Sequence, residues 1–349
     1  MRGPLAAIAL ALLLVGLALA AVGIAPLAVF AALLEGAAGS WLAVTDSLTK
    51  AMPLVFTGLA VSVAFTGALW NIGADGQLLV GAMAACALGL HLPGWPHLLA
   101  VTALLLAGAL AGALWSGLCG MLKTRYRVNE VISTIMLNYV AIQAVSWAVH
   151  GPLMEPSRAL PVSAPIAPAA QLDLYFAPSQ LNFGLVLALL MAVGCEIWLY
   201  RTEAGFKLRA VGKNARAAAF YGLGVNRVTL ATMALSGALA GLGGAVQISA
   251  ISGRLYENFS PGWGYEAIAV ALVARLNPLA VVLTAGFFGA LDNGSQSIQR
   301  VLGISPVLVQ VIQAVVIFLL LAFDTPVLRR APSSAQASQT SSAEPAVNA

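Results

Sequence analysis

Residues 98–121 read LLAVTALLLAGALAGALWSGLCGM, twenty-four positions from Leu98 to Met121 without a single charge. As an α-helix the stretch is about 36 Å long, enough to cross a ~30 Å hydrocarbon layer with some tilt. The rest of the chain has the same character. Of 349 residues, 60% are hydrophobic and only 9% charged, and the mean hydropathy is +0.91. A soluble domain carries roughly a quarter charged residues and must cover its own surface with polar groups. This composition excludes that and points to an all-α, polytopic transmembrane helical bundle. The net charge of +4 is no footprint of nucleic-acid binding, because the basic residues are scattered over separate loops. Cys86, Cys119 and Cys195 stand alone in apolar segments, without metal-ligand spacing, and read as small packing residues.

Apolar runs between polar breaks predict about ten segments: Leu5–Ala25, Pro53–Leu69, Leu78–His91, Leu98–Met121, Val131–Val149, Phe183–Leu199, Thr229–Ala250, Ala267–Ala274, Leu279–Leu291 and Pro306–Phe323. The eighth and ninth are too short to span alone and read as half-helices broken at Asn277-Pro278, an arrangement that needs protein or a wet cavity to satisfy the freed backbone. Lys and Arg orient the bundle. Lys123, Arg125 and Arg127 follow the fourth segment; Arg201, Lys207, Arg209, Lys213, Arg216 and Arg227 lie between the sixth and seventh; Arg158 is alone in 150–182 and Arg254 alone in 251–266. The positive-inside rule then places both termini and the two basic loops in the cytoplasm, and 150–182 outside.

The expected organisation is one transmembrane domain over residues 1–330 and a disordered cytoplasmic tail at 331–349, rich in Ser, Ala and Gln. Arg2, an apolar run and Ala18-Leu19-Ala20 look like a signal peptide, but apolar character continues to Leu34, which favours a retained first helix. The Pro- and Ala-rich segment 150–182 reads as an extended external loop.

Three stretches are polar where lipid penalises polarity. In Trp70-Asn71-Ile72-Gly73-Ala74-Asp75-Gly76-Gln77 two glycines allow a tight non-helical backbone, and Asn71, Asp75 and Gln77 can satisfy the amides so released. Either this is an ordinary cytoplasmic turn or it is a broken-helix element beside a transport path. In Asn129-Glu130-Val131-Ile132-Ser133-Thr134-Ile135-Met136-Leu137-Asn138-Tyr139, Asn129 can cap the following helix, with Glu130 favourable at its N-terminus. Thr134 and Asn138 are four apart and share a face, so Asn138 is either interhelical glue or pore lining. The basic loop 200–228 is too long for a turn and too apolar for a tether. Short amphipathic helices on the cytoplasmic face suit it, held either to anionic lipid or to a cytoplasmic partner. Ala215–Phe220 has strong helix propensity, with Gly212 and Gly222 as expected breaks, and Phe220 and Tyr221 offer apolar anchors.

At these residues the chain resembles the permease family of nucleoside and simple-sugar ABC importers. The resemblance rests on four ordered blocks: 71–77 (NIGADGQ), 129–139 (NEVISTIMLNY), 208–214 (LRAVGKN) and 289–294 (GALDNG). It covers roughly residues 50–325, and the second block is closer to the nucleoside than to the ribose branch. The resemblance implies a multi-pass permease of the bacterial inner membrane that moves a nucleoside or related small polar solute. Its implied partners are a second permease, in a heterodimer, cytoplasmic ATP-binding subunits and an extracytoplasmic solute-binding protein. The chain itself would bind no cofactor, ATP being held by the partner subunit. Candidates for the solute path are Trp70, Asn71, Asp75, Gln77, Asn138, Tyr139, Gln247 and Asn293; candidates for coupling to the ATPase are Gly205, Arg209, Gly212, Asn214, Phe220 and Tyr221.

What is missing fits a permease. No phosphate-binding G-x-x-x-x-G-K-[ST] occurs, and Gly205–Lys213 has the wrong spacing and runs into Asn214. No H-E-x-x-H occurs either. Ser236-Gly237 hints at an intramembrane serine protease but lacks a glycine at 234 and an obvious buried His. An ion-coupled carrier calls for several membrane-embedded carboxylates. Here Glu196 and Glu266 fall near predicted segment ends, and Asp75 is the one central suspect.

Overall fold

A computed structural model of the chain describes residues 13, 15–17, 19–21, 23–175, 179–305, 307, 311 and 314. Leu27–Val309 forms one compact unit. The predicted segments Leu5–Ala25 and Pro306–Phe323 lie largely outside the described residues, and the predicted tail 331–349 lies wholly outside them.

The described helices are α1 (Pro26–Ala38), α2 (Trp41–Thr66), α3 (Ala74–Gly89), α4 (His97–Tyr126), α5 (Glu130–His150), α6 (Phe183–Arg201), α7 (Glu203–Lys213), α8 (Ala215–Phe220), α9 (Val225–Gln247), α10 (Trp263–Val273) and α11 (Pro278–Leu302). A π-helical turn, Ile248–Ser252, prolongs α9. Five of these, α2, α4, α5, α6 and α9 with its extension, are long and apolar enough to cross a membrane. No β-strand forms among the described residues, so the fold is the expected all-α bundle.

Small residues set the packing. α9 sits against α3 and α4, and its backbone comes so close that a Cβ on Gly241 would overlap the Gly108 carbonyl of α4. In lipid, where apolar burial drives little, such close approach of small residues is what holds helices together. α2 is buried from Ala51 to Ala64, whereas α4 turns Leu98, Leu106, Leu110 and Leu114 outward. All three cysteines are buried among these helices.

Helix boundaries depart from the sequence reading at four places. α2 begins at Trp41, not Pro53, because Thr45, Ser47 and Thr49 return their hydroxyls to Leu42, Ala43 and Thr45 carbonyls and so cost little inside the helix. A separate helix, α1, precedes it. The break at Asn277-Pro278 is present: Arg275 and Leu276 adopt left-handed backbone, and Asn277 caps α11 by accepting from the Ala280 N–H. Yet α11 runs through Asp292, Asn293 and Gln296 to Leu302, a 25-residue helix about 37 Å long, so the ninth segment is not a short one. Finally, Gly212 lies within α7. The chain breaks instead at Asn214, which caps α8 through the Ala217 N–H, and at Gly222, with φ +80°.

The expected extended segment 150–182 folds back on the bundle. Ile166 and Ala170 are buried, and backbone bonds join Ala167 to Gly89, Ile166 to Gly253 and Leu172 to Ser249.

Candidate functional site

Between α2 and α3 the chain stops being helical and turns inward. Gly67 closes α2, Ala68 takes a left-handed conformation with φ 55°, and helix resumes at Ala74. Asn71, Asp75 and Gln77 are 0%, 3% and 1% exposed, which rules out an ordinary surface turn. The polar side chains do what a break in a membrane helix demands, which is to pair the freed backbone groups. Asn71 Oδ1 accepts from the Gly73 N–H at 3.0 Å and from Gln77 Nε2 at 2.9 Å. Its Nδ2 donates to Gln77 Oε1 and, across to α9, to Ser236 Oγ at 2.8 Å. Ser236 in turn donates to the Ala60 carbonyl of α2, so the serine with a protease look is a structural link.

α5 supplies the second half. Thr134 and Asn138 share a face as expected, and both engage Ile72: Thr134 Oγ1 accepts from its N–H, and Asn138 Nδ2 donates to its carbonyl at 3.0 Å. Asn138 Oδ1 accepts from the Gly76 N–H at 2.9 Å, and Nδ2 also reaches the Tyr265 hydroxyl of α10. Asp75 completes the knot. Its Oδ1 accepts from Ser260 Oγ at 2.7 Å and from the Gly264 N–H at 2.9 Å, capping α10. Gly264 packs so tightly there that a Cβ would overlap the Asp75 backbone. One carboxylate thus stands in the first turn of α3 and at the N-terminus of α10, where two helix dipoles favour negative charge. α3 and α10 have 16 and 11 residues, about 24 and 16 Å, each shorter than the hydrocarbon core. Two half-helices therefore meet N-terminus to N-terminus on Asp75.

The remaining path candidates scatter. Trp70 and Tyr139 are 55% and 60% exposed, Trp70 leaning on Phe65 with ring centroids 4.8 Å apart. Gln247 is half-buried at the end of α9. Asn293 is buried elsewhere, where it clamps α11 to the Gly36 and Ala43 carbonyls and Ser47 Oγ. Sequence reading missed Ser260, Gly264 and Tyr265, whose partners are far away along the chain.

The coupling candidates form a second cluster. Thr202 caps α7 through the Gly205 N–H, and Gly205 lies against the Trp198 and Leu199 carbonyls. Leu208 and Val211 are buried, and Gly212 sits directly on the Thr66 carbonyl at the end of α2. The Arg209 guanidinium stacks 5.0 Å from the Tyr200 ring centre. At the far end Phe220 and Tyr221, edge to face at 5.7 Å, are 87% and 82% exposed. On α7 the Glu203 carboxyl is held below its usual range, first by its hydrogen bond from Lys207 and then by that charge. Among the described residues no group of His, Cys, Asp and Glu is placed to hold a metal.

A multi-pass helical bundle with paired half-helices and an exposed two-helix elbow is the architecture of a membrane permease. The chain belongs to the family described as branched-chain amino acid transport system / permease component, which matches residues 43–321. It is 33% identical to the guanosine ABC transporter permease protein NupP of Bacillus subtilis, over 82% of this chain and 83% of that one. Identity is also 33% to the glucose ABC transporter permease protein TsgB13 of Haloferax volcanii, over 82% and 77%, and 29% to the nucleoside ABC transporter permease protein NupB of Lactococcus lactis, over 90% and 89%. No solved structure matches.

Proposed function

We propose that the chain is one of two different permeases in a bacterial inner-membrane importer for a nucleoside or related small polar solute. In this reading an extracytoplasmic binding protein delivers the solute, and ATP is held and hydrolysed by separate cytoplasmic subunits. The observation that carries it is similarity along most of the chain to permeases named for guanosine and nucleosides. Pairing is supported by the second members of the same systems: NupQ of Bacillus subtilis and NupC of Lactococcus lactis are also similar to this chain, at 26% and 28% identity. The Lys/Arg asymmetry supports cytoplasmic termini.

The elbow of α7 and α8 suits the ATPase contact. Its exposed aromatic pair is the kind of anchor that dominates interfaces, and Arg216 and Arg227 beside it favour an acidic rim. α7 in turn rests on Thr66 and Gly67, immediately before the α2–α3 break. Work done at Phe220 therefore reaches the knot through two rigid helices. Asn71, Asp75, Gln77 and Asn138 hold the half-helices, and the exposed Trp70 and Tyr139 front the solute. The test is uptake into proteoliposomes holding the complete assembly and its binding protein. ATP-dependent guanosine uptake is expected; ATP-dependent uptake of glucose but not guanosine would move the assignment to sugars, and uptake of neither would overturn it.

A further inference from the structure

The charges that sequence reading left just outside the apolar segments meet on one face of the bundle. Lys50 Nζ of α2 and Asp292 Oδ2 of α11 pair at 2.7 Å, with side chains 22% and 51% exposed. Glu266 of α10 stands within Coulombic reach of Asp292. Asp46 is one turn before Lys50, and the exposed Gln296 one turn beyond Asp292. Lys50 and Asp292 lie well inside their helices, whereas Glu266 stands in the first turn of α10. With α2 spanning Trp41–Thr66, Lys50 is about 14 Å from one end and 24 Å from the other. With α11 spanning Pro278–Leu302, Asp292 is about 21 and 15 Å from its ends. α2 is long and apolar enough to cross a membrane, and a charge near the middle of such a helix costs about 2.5 kcal/mol or more against lipid. Asn293, next to Asp292, is buried and satisfied by internal partners, whereas Asp292 and Gln296 keep exposed polar surface beyond the contact with Lys50. On the opposite side of α11, Leu283 and Phe287 are the exposed residues.

We propose that this face, Lys50 and Asp292 with Glu266 beside them, lines the water-filled solute path and hydrogen-bonds hydroxyl groups of a neutral solute in transit. The proposal rests on the permease reading and names the class of solute. Carboxylates accept from adjacent hydroxyls and an ammonium donates to them, a set that suits a sugar ring or a ribose. With Asp46 one turn from Lys50, one base faces two acids, and the negative balance repels phosphorylated solutes.

The first test needs no solute. In the full assembly in native membranes, single cysteines at Gln296→Cys and Phe287→Cys, on a background whose own cysteines are buried, are exposed to a small cationic thiosulfonate. Reaction requires thiolate and hence water. Gln296→Cys is expected to react at least about tenfold faster, and equal rates would place the face against lipid or protein and overturn the proposal. The second test is Asp292→Asn. Losing a hydrogen bond to a charged group is worth roughly tenfold or more, so KM for guanosine or glucose uptake should rise by about that factor at unchanged membrane abundance. An unchanged KM, or lost abundance without a KM change, would overturn the hydroxyl role. Failure of the wild-type assembly to transport either solute would instead sink the permease reading, and the labelling rates would still decide whether the face is wet.

Discussion

Replacing Asn138 by Leu removes three hydrogen bonds at the junction of α3, α5 and α10: one from the Gly76 N–H, one to the Ile72 carbonyl and one to the Tyr265 hydroxyl. The cost can be bracketed. Hydrogen bonds between membrane helices average about 0.6 kcal/mol each in double-mutant cycles, so three give a lower bound near 2 kcal/mol. Buried groups left unpaired cost about 1–3 kcal/mol apiece. Tyr265 is 41% exposed and can turn to other partners, which leaves the Gly76 and Ile72 groups and an upper bound near 6 kcal/mol. The site also has no slack, because Gly76 packs 2.9 Å from the Asn138 backbone when a Cβ is placed on it. Even the lower figure lowers the folded-to-unfolded ratio about thirtyfold. The structure thus favours interhelical glue over pore lining, and Asn138→Leu is expected to reduce the amount of folded permease in parallel with uptake. Melting of the purified subunit by fluorescence-detected size exclusion, beside uptake per folded molecule, makes the check. Wild-type melting with lost uptake would refute this and return Asn138 to the solute path.

Phe220→Asp, on a side chain with no internal role, should leave folding intact while the ATPase no longer co-purifies and its stimulated hydrolysis falls by about thirtyfold or more, as for a lost interface anchor; normal assembly would show that the elbow rests on lipid. Gly212→Val should destabilise by about 1–3 kcal/mol, since its side chain would have to displace the Thr66 carbonyl, and an unchanged melting temperature would mean that α7 is not seated on α2 as described. For topology, Ala159→Cys, exposed in the segment expected outside, should react with an impermeant thiol reagent in intact cells and Ala215→Cys should not; the reverse pattern would invert the bundle.

Class, helices and broken elements were legible in the sequence because each has a local cause. Lipid forces long apolar runs, and a polar Gly-containing octet such as 70–77 inside them has few uses other than to break and satisfy a helix. The sequence also placed Thr134 and Asn138 on one face correctly, since that depends only on helical period. It could not tell glue from pore, because the answer lies in Ile72, Gly76 and Tyr265, partners 62 to 127 positions away. Boundaries failed where polarity is paired inside the membrane. Lys50 and Asp292 each fell just outside a predicted segment, and only the contact of α2 with α11 shows that both lie inside long helices. Gly212 was misread as a break because a glycine that admits a neighbouring backbone looks, in sequence, the same as one that turns the chain.

The two clusters are coupled by their shared element, the end of α2. Leu208 of α7 lies 3.6 Å from where a Gly67 Cβ would stand, and Thr232 of α9 lies at 3.4 Å from it, so the residue that closes α2 is held between the elbow and the central helix. Beyond it, Ala68 takes a left-handed backbone conformation before the bonded stretch that begins at Asn71. Asn71, Ile72, Asp75 and Gly76 are hydrogen-bonded to α9, α5 and α10, with α2 reached through Ser236, so a shift of this stretch would carry α10 along through Asp75. In the proposed cycle a tilt of α7, imposed at Phe220, would therefore swing the N-termini of both half-helices together. It would also displace α10, and with it Glu266, relative to the Lys50–Asp292 pair on α2 and α11. That relative motion is what a path needs in order to hold a solute in one state and release it in the next.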